Sequence, residues 1–194
     1  MLAEVFMSEF QKKRLEHAIC YFAREFQRRA KRPLPSMGLW KLLAFMDFWG
    51  VKEFGRPVFG LAYLAWKMGP VPIDIYNNHP QSPLFQFKDK GENRFDIIPT
   101  GVPDMDHFSG IEKEKMGHLI EIYGDPSMKT GLMSEASHQS IQAWRRAYSE
   151  KPNQPIDYKL EFSGDIDTKP ENMLTPEEEE FFFWRGAQRL NEAG

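Results

Sequence analysis

The chain has 194 residues, a formal net charge of -3, and 41% hydrophobic, 14% aromatic and 27% charged residues, which is enough apolar material for one packed domain with appendages and argues against disorder. That charge excludes a basic footprint over the whole protein of the kind nucleic-acid binders carry, and no apolar run approaches the roughly 18 to 20 residues of a membrane span. The single cysteine, Cys20, excludes an internal disulfide or a cysteine-rich zinc site and fits a reducing compartment; Met1 to Phe6 is too short for a signal peptide's apolar region, so a soluble cytoplasmic protein is expected.

From about Ser8 to Ala30, the residues Leu15, Ile19, Phe22 and Phe26 recur at spacings of three and four and line one face of an amphipathic helix. Arg24, Arg28, Arg29, Lys31 and Arg32 crowd its end. They read either as phosphate contacts or, diluted by Glu9, Glu16 and Glu25, as the solvated face of a helix packed through its phenylalanines. Pro33 and Pro35 end the helix. Ser36 is placed to cap a second helix, which runs to about Trp49 and stops at Gly50. That helix is apolar on nearly every side, so it belongs at the centre, with Lys41 and Asp47 reaching out or paired. After Arg56-Pro57 and Gly60, the stretch Leu61 to Met68 reads as extended, being bounded by Gly and Pro and rich in aromatics.

Trp66 to Tyr76 is a corner. Gly69 takes a positive φ at little cost, and Pro70 and Pro72 fix φ and lack donors, so one element is expected to end near Met68 and a helix to begin with Pro72 in its first turn. Large apolar side chains on both sides bury the corner at least in part. The helix from Ile73 is kept short by Pro80 and Pro83. Leu84 to Phe87 and Phe95 to Ile98 then alternate around Asp89-Lys90-Gly91-Glu92 and read as a β-hairpin, its apolar face on the helices or its edge paired with a third strand from Leu61 to Met68. Ser109-Gly110-Ile111-Glu112 is a capping box opening a helix to Tyr123, with Met116, Leu119, Ile120 and Tyr123 inward and Gly124 as its stop. Two short helices follow, around Met128 to Ala136 and Gln139 to Tyr148. Pro155 to Met173 reads as irregular, and Thr175-Pro176-Glu177-Glu178 opens a last helix.

These elements specify a mainly α, α+β fold: a compact helical domain with a small antiparallel β-sheet or hairpin. The expected organisation is a basic amphipathic helix in residues 1–35 packed on the core, a central domain in residues 36–150, and an acidic, aromatic extension in residues 151–194. Phe181, Phe182, Phe183 and Trp184 in that extension are too apolar to be left in water. They pack back on the domain, self-associate, or bind a partner, aromatic residues being enriched in binding hot spots.

No Gly-rich phosphate loop, Gly-x-Ser-x-Gly elbow or His-Glu-x-x-His helix is present. No catalytic residue and no cofactor is therefore assigned. Asp104, Asp106 and His107 are the best local set for a cation, although Asp beside Pro103 is also ordinary turn chemistry.

Two blocks of residues act together as a signature. The first runs from Lys41-Leu42-Leu43-Ala44-Phe45 through Gly55-Arg56-Pro57-Val58-Phe59 to Ala65-Trp66-Lys67-Met68-Gly69-Pro70-Val71-Pro72 and Ile75-Tyr76. The second runs from Ile111-Glu112-Lys113-Glu114 through Ile122-Tyr123-Gly124 to Ser137-His138 and Ala143-Trp144-Arg145. In this order and spacing, over about Ser36 to Tyr148, they resemble the Panacea domain, the SocA-like antitoxin family of bacteria, phages and other mobile elements. The resemblance implies a mainly helical, non-enzymatic protein that binds and neutralises a cognate protein toxin, with no catalytic residues to carry over. A cellular protease to which the toxin is handed is a second implied partner, and a homo-oligomer a third. The signature positions Trp66, Gly69, Pro70, Val71, Tyr76, His138 and Trp144 hold the fold or form the shared part of an interface. Two other functions compete: a DNA-binding autoregulator using Arg24, Arg28, Arg29, Lys31 and Arg32, and a metal-dependent enzyme at Asp104, Asp106 and His107.

Overall fold

The computed structural model describes residues 8–192, which form seven α-helices and five short β-strands. Helix α1 (Glu9–Ala30) opens on a capping box in which Ser8 Oγ accepts from the Gln11 N–H and the Gln11 side chain accepts from the Ser8 N–H. Its apolar stripe, Leu15, Ile19, Phe22 and Phe26, is buried. Helix α2 (Ser36–Phe54) is buried along most of its length, as an all-round apolar helix must be.

The limits of α2 differ from the sequence expectation. Gly50 lies inside the helix, and the stop is Gly55 at φ 69°. Gly50 serves a tertiary contact instead: a Cβ there would sit 2.7 Å from the Arg56 carbonyl oxygen. Nor does Ser36 cap the helix; its Oγ accepts from the Phe95 N–H at 3.3 Å and ties α2 to a sheet.

That sheet has the order β1 (Leu34–Pro35), β5 (Phe95–Pro99), β4 (Phe85–Asp89), all antiparallel. The β4–β5 hairpin is the one expected, but its third strand is β1. The stretch assigned to that role forms β2 (Tyr63–Trp66) and pairs with β3 (Gly69–Pro72) in a separate ribbon. The prolines therefore do not break the chain at the corner. Ala65 N–H donates to Gln154 O and Ile156 N–H to Tyr63 O, so Tyr63 and Ala65 bond outward, away from β3. By the alternation of an antiparallel ladder, Leu64 and Trp66 then bond to Val71 and Gly69. Pro72 and Pro70 stand opposite Tyr63 and Ala65, at positions where the ladder needs no donor. Pro72 precedes the short helix α3 (Ile73–Asn78) as its N-cap instead of joining the first turn.

Helix α4 (Gly110–Tyr123) has the Ser109/Glu112 box and the four buried residues expected. Helices α5 (Thr130–Ser140) and α6 (Gln142–Glu150) are the two short ones. Three single 3-10 turns lead to α7 (Pro176–Glu192), whose start is another box: the Glu178 N–H donates to Thr175 Oγ1 at 3.3 Å, and the Thr175 N–H to Glu178 Oε2 at 2.8 Å. One apolar cluster runs through the molecule, and Tyr158, Phe162, Ile166 and Phe181 from the C-terminal residues are part of it. Among the described residues no helix is long and apolar enough to cross a membrane.

Candidate functional site

The β2–β3 ribbon meets α2, α5 and α6 at Gly69. Its φ is 99°, a value that side chains bearing a Cβ rarely adopt. The space a Cβ would need is also taken: the position lies 2.5 Å from Ser137 Oγ and 2.9 Å from Lys41 Nζ. Lys41 enters from α2, fully buried, and its Nζ donates to Pro70 O at 3.0 Å. That carbonyl is available because Pro70 stands at a position that does not bond to β2. Burial brings the Lys41 pKa down to about 7, since moving an ammonium out of water disfavours its charged form.

The signature side chains close around this point. Ser137 Oγ donates to Ser134 O at 2.7 Å. His138 stacks on Trp144 with ring centres 3.9 Å apart; Trp144 Nε1 donates to Trp66 O at 3.0 Å; and Trp66 meets Tyr76 edge-on at 4.9 Å. Tyr76 in turn accepts from the Asn93 side chain, and Val71 is buried beside them. Trp66, Gly69, Pro70, Val71, Tyr76, His138 and Trp144, spread over almost eighty positions, thus form one corner. Burial lowers the His138 pKa, and the Lys41 charge lowers it further. Ser134 Oγ and His138 Nε2 are buried without hydrogen-bond partners. Lys41 and Ser137 are sealed from solvent, so the arrangement can lock the ribbon onto α2 and α5.

Sequence reasoning missed the other buried polar centre. Asp47 on α2 accepts from the N–H groups of Phe59, Gly60 and Leu61 at 2.5, 3.2 and 3.2 Å and from the hydroxyls of Tyr63 and Tyr158 at 3.0 and 3.1 Å. Burial pushes its carboxyl pKa up while these donors pull it down. Burial and the neighbouring Asp47 hold both tyrosine hydroxyls well above their ordinary range, so they stay donors. Lys41 and Asp47 therefore do not reach out; each is partnered, the other outcome expected, though not with the other, and each is satisfied chiefly by backbone. Glu161 is a third such group: its Oε2 accepts from the Ala143 N–H at 2.8 Å and caps α6, which lacks a side-chain cap of its own. The available signal was a charge inside an otherwise apolar helix, which must find partners somewhere.

The remaining candidates separate. Arg24 donates to Gly101 O, Arg28 to Glu25 and Arg32 to Met128 O, Arg29 packs on Gly124, and Lys31 terminates α1 in the left-handed conformation, so the basic stretch is not a free row of cations. Asp104 accepts from the Asp106 N–H, Asp106 points into solvent, and His107 stacks on His17 at 4.7 Å. Among the described residues no group of three or more His, Cys, Asp or Glu is placed to hold a metal ion. In α7, Phe181 is 1% exposed and Phe183 76%; Trp184 packs on Tyr158 and Phe181, and Phe182 lies under the Arg185 guanidinium.

Compared with known families, residues 39–145, more than half of the chain, match the model of the antitoxin SocA-like Panacea domain. The match takes in every residue of the corner. Comparisons with curated proteins and with solved structures give no match.

Proposed function

We propose, from the premise that the chain belongs to the SocA-like antitoxin family defined by the Panacea domain, that it binds a cognate protein toxin and neutralises it by occupying it, without chemistry of its own. The observation that carries this reading is the family match over residues 39–145, which takes in a corner whose Lys41 and Ser137 are buried inside. In this reading the corner is scaffold, residues 36–150 are the family part, and α1 and the C-terminal residues buttress it. A cytoplasmic place of action goes with a single buried free thiol, Cys20. The DNA-binding reading has less support, because Arg24, Arg28 and Arg32 are already engaged within the molecule.

The test is to express each neighbouring gene from an inducible promoter with and without this chain. One neighbour should arrest growth alone, growth should return on coexpression, and the two proteins should co-purify. Rescue without a complex, or no toxic neighbour, overturns the proposal.

A further inference from the structure

We propose that the channel between α4 and the C-terminal half of α2 takes an amphipathic helix of the partner, one with apolar anchors and a basic flank. This rests on the antitoxin reading and adds to it a surface and a partner chemistry. Three cavities of about 600, 780 and 330 Å³ lie end to end along α4. Ile111 lines the first two and Trp49 the second and third, so they form one channel. Its length follows from α4: 14 residues at the α-helical rise span about 21 Å, or about four turns of a docked helix.

Its walls set uncovered apolar side chains among charged ones. Phe10, Phe54, Ile111 and Ile122 line it and are 58%, 36%, 51% and 39% exposed. Exposed apolar side chains rimmed by polar ones mark interaction sites, and a groove between helices with such anchors suits the apolar face of a third. The charge of the rim selects the flank. Glu53, Glu114 and Glu121 face solvent along the middle of the channel, and the contact that Glu121 makes, at 3.9 Å, is to His118. Of the lining cations, Lys115 lies over the Trp49 ring at 5.5 Å, Lys52 is exposed and acts on the buried Glu161, and Arg14 and Arg56 belong to the first cavity, away from the middle, where they pair with Glu112 and Glu180 at 2.6 and 4.0 Å. The middle of the rim therefore presents carboxylates, which attract Lys and Arg and repel an acidic segment or a phosphate backbone. None of the seven corner residues lines the channel, whereas Ile111, Glu112, Glu114, Ile122 and Tyr123 of the second signature block do, so the channel is a second part of the family pattern, apart from the corner, and it reaches the surface.

Two measurements test this on the full chain. The first titrates it with a fluorescent 14-residue Leu/Lys amphipathic peptide and with its Leu/Glu counterpart. The Lys peptide should bind at least about 10-fold more tightly than the Glu peptide, a difference of about 1.4 kcal/mol. Ile111→Ser, which removes an exposed apolar anchor and adds no charge, and the double variant Glu53→Lys/Glu114→Lys should each weaken the Lys peptide by a similar factor at unchanged melting temperature, while Phe183→Glu on α7 should not. Equal binding of both peptides, or undiminished binding to folded Ile111→Ser, overturns the channel proposal. The second measurement repeats the growth rescue with these variants. If wild type and Ile111→Ser rescue equally, the channel is not the toxin contact and the antitoxin reading stands. If the Lys peptide binds the channel but wild type rescues no toxic neighbour, the antitoxin reading falls and the channel stands.

Discussion

Replacing Gly69 by alanine tests how the corner is held together. At φ 99° a residue with a Cβ pays about 1–2 kcal/mol of backbone strain. The new carbon also lands 2.5 Å from Ser137 Oγ and 2.9 Å from Lys41 Nζ, and neither group can retreat into solvent because both are fully buried. Forcing room there costs about 1–3 kcal/mol in overpacking. Pushing Nζ off Pro70 O sacrifices a hydrogen bond to a buried charge, about 1.5–3 kcal/mol. The total is about 3.5–8 kcal/mol, a large fraction of the 5–15 kcal/mol that typically holds a domain. Gly91 is the control: its φ is 79°, and nothing lies within 4 Å of the position a Cβ would take, so Gly91→Ala should pay the strain alone. Urea melts should therefore separate the two variants by at least about 2.5 kcal/mol, and Gly69→Val, which adds two further methyl groups, should fail to fold. Whatever fraction of Gly69→Ala remains folded should bind the partner as wild type does. If Gly69→Ala and Gly91→Ala cost the same to within about 0.5 kcal/mol, the reasoning from close packing is wrong.

Lys41 gives a pH-dependent prediction. Its pKa is about 7 in the fold against 10.5 for a free side chain, so between those values the unfolded chain binds a proton that the folded chain does not. Stability from this group therefore rises with pH across that window and is flat below it. Lys41→Met should remove the rise, so the difference in unfolding free energy, wild type minus variant, should grow from pH 7 to pH 10; a constant difference would show that the ammonium is solvated. In α7, Phe181→Ala should cost about 3–5 kcal/mol, the range for emptying a buried aromatic site. Phe183→Ala should stay within about 0.5 kcal/mol, because its ring is 76% exposed; equal losses in a thermal melt would contradict the packing of α7.

Local signals carried over to the fold where the physics is local. The Ser109/Glu112 and Thr175/Glu178 boxes are pairs three residues apart that satisfy each other's backbone groups, so nothing distant is needed to recognise them. The β4–β5 hairpin follows from alternation around a Gly-containing turn, and the positive φ of Gly69 from its place beside two prolines. Gly50 was misread because a glycine that admits a neighbouring backbone and one that ends a helix look alike in sequence. What distinguishes them here is the Arg56 carbonyl 2.7 Å from the missing Cβ, a tertiary fact. The ribbon was missed for a related reason: Pro70 and Pro72 are compatible with a strand only once residues 153–156 occupy the outer edge of β2 and fix which positions bond.

The buried charges set the limit of such reading for the site as well. An apolar helix carrying Lys41 and Asp47 announces that both need partners, yet one of those of Asp47, the Tyr158 hydroxyl, comes from 111 positions away, out of a stretch with no periodicity to mark it. The same hydroxyl lies 2.7 Å from Leu61 O and shares its one proton between that carbonyl and Asp47, so a single side chain of the irregular C-terminal stretch joins α2 to the segment leading into β2. The corner is legible for the converse reason at Gly69: its φ of 99° and the atoms 2.5 and 2.9 Å from a Cβ leave no room for a side chain, so the sequence must spell out a glycine there. A surface that meets a partner bears no such constraint from the fold. Ile111 and Glu114 are exposed on α4 and take no part in the corner, so changing them tests the proposed α4 channel without disturbing the packing at Gly69.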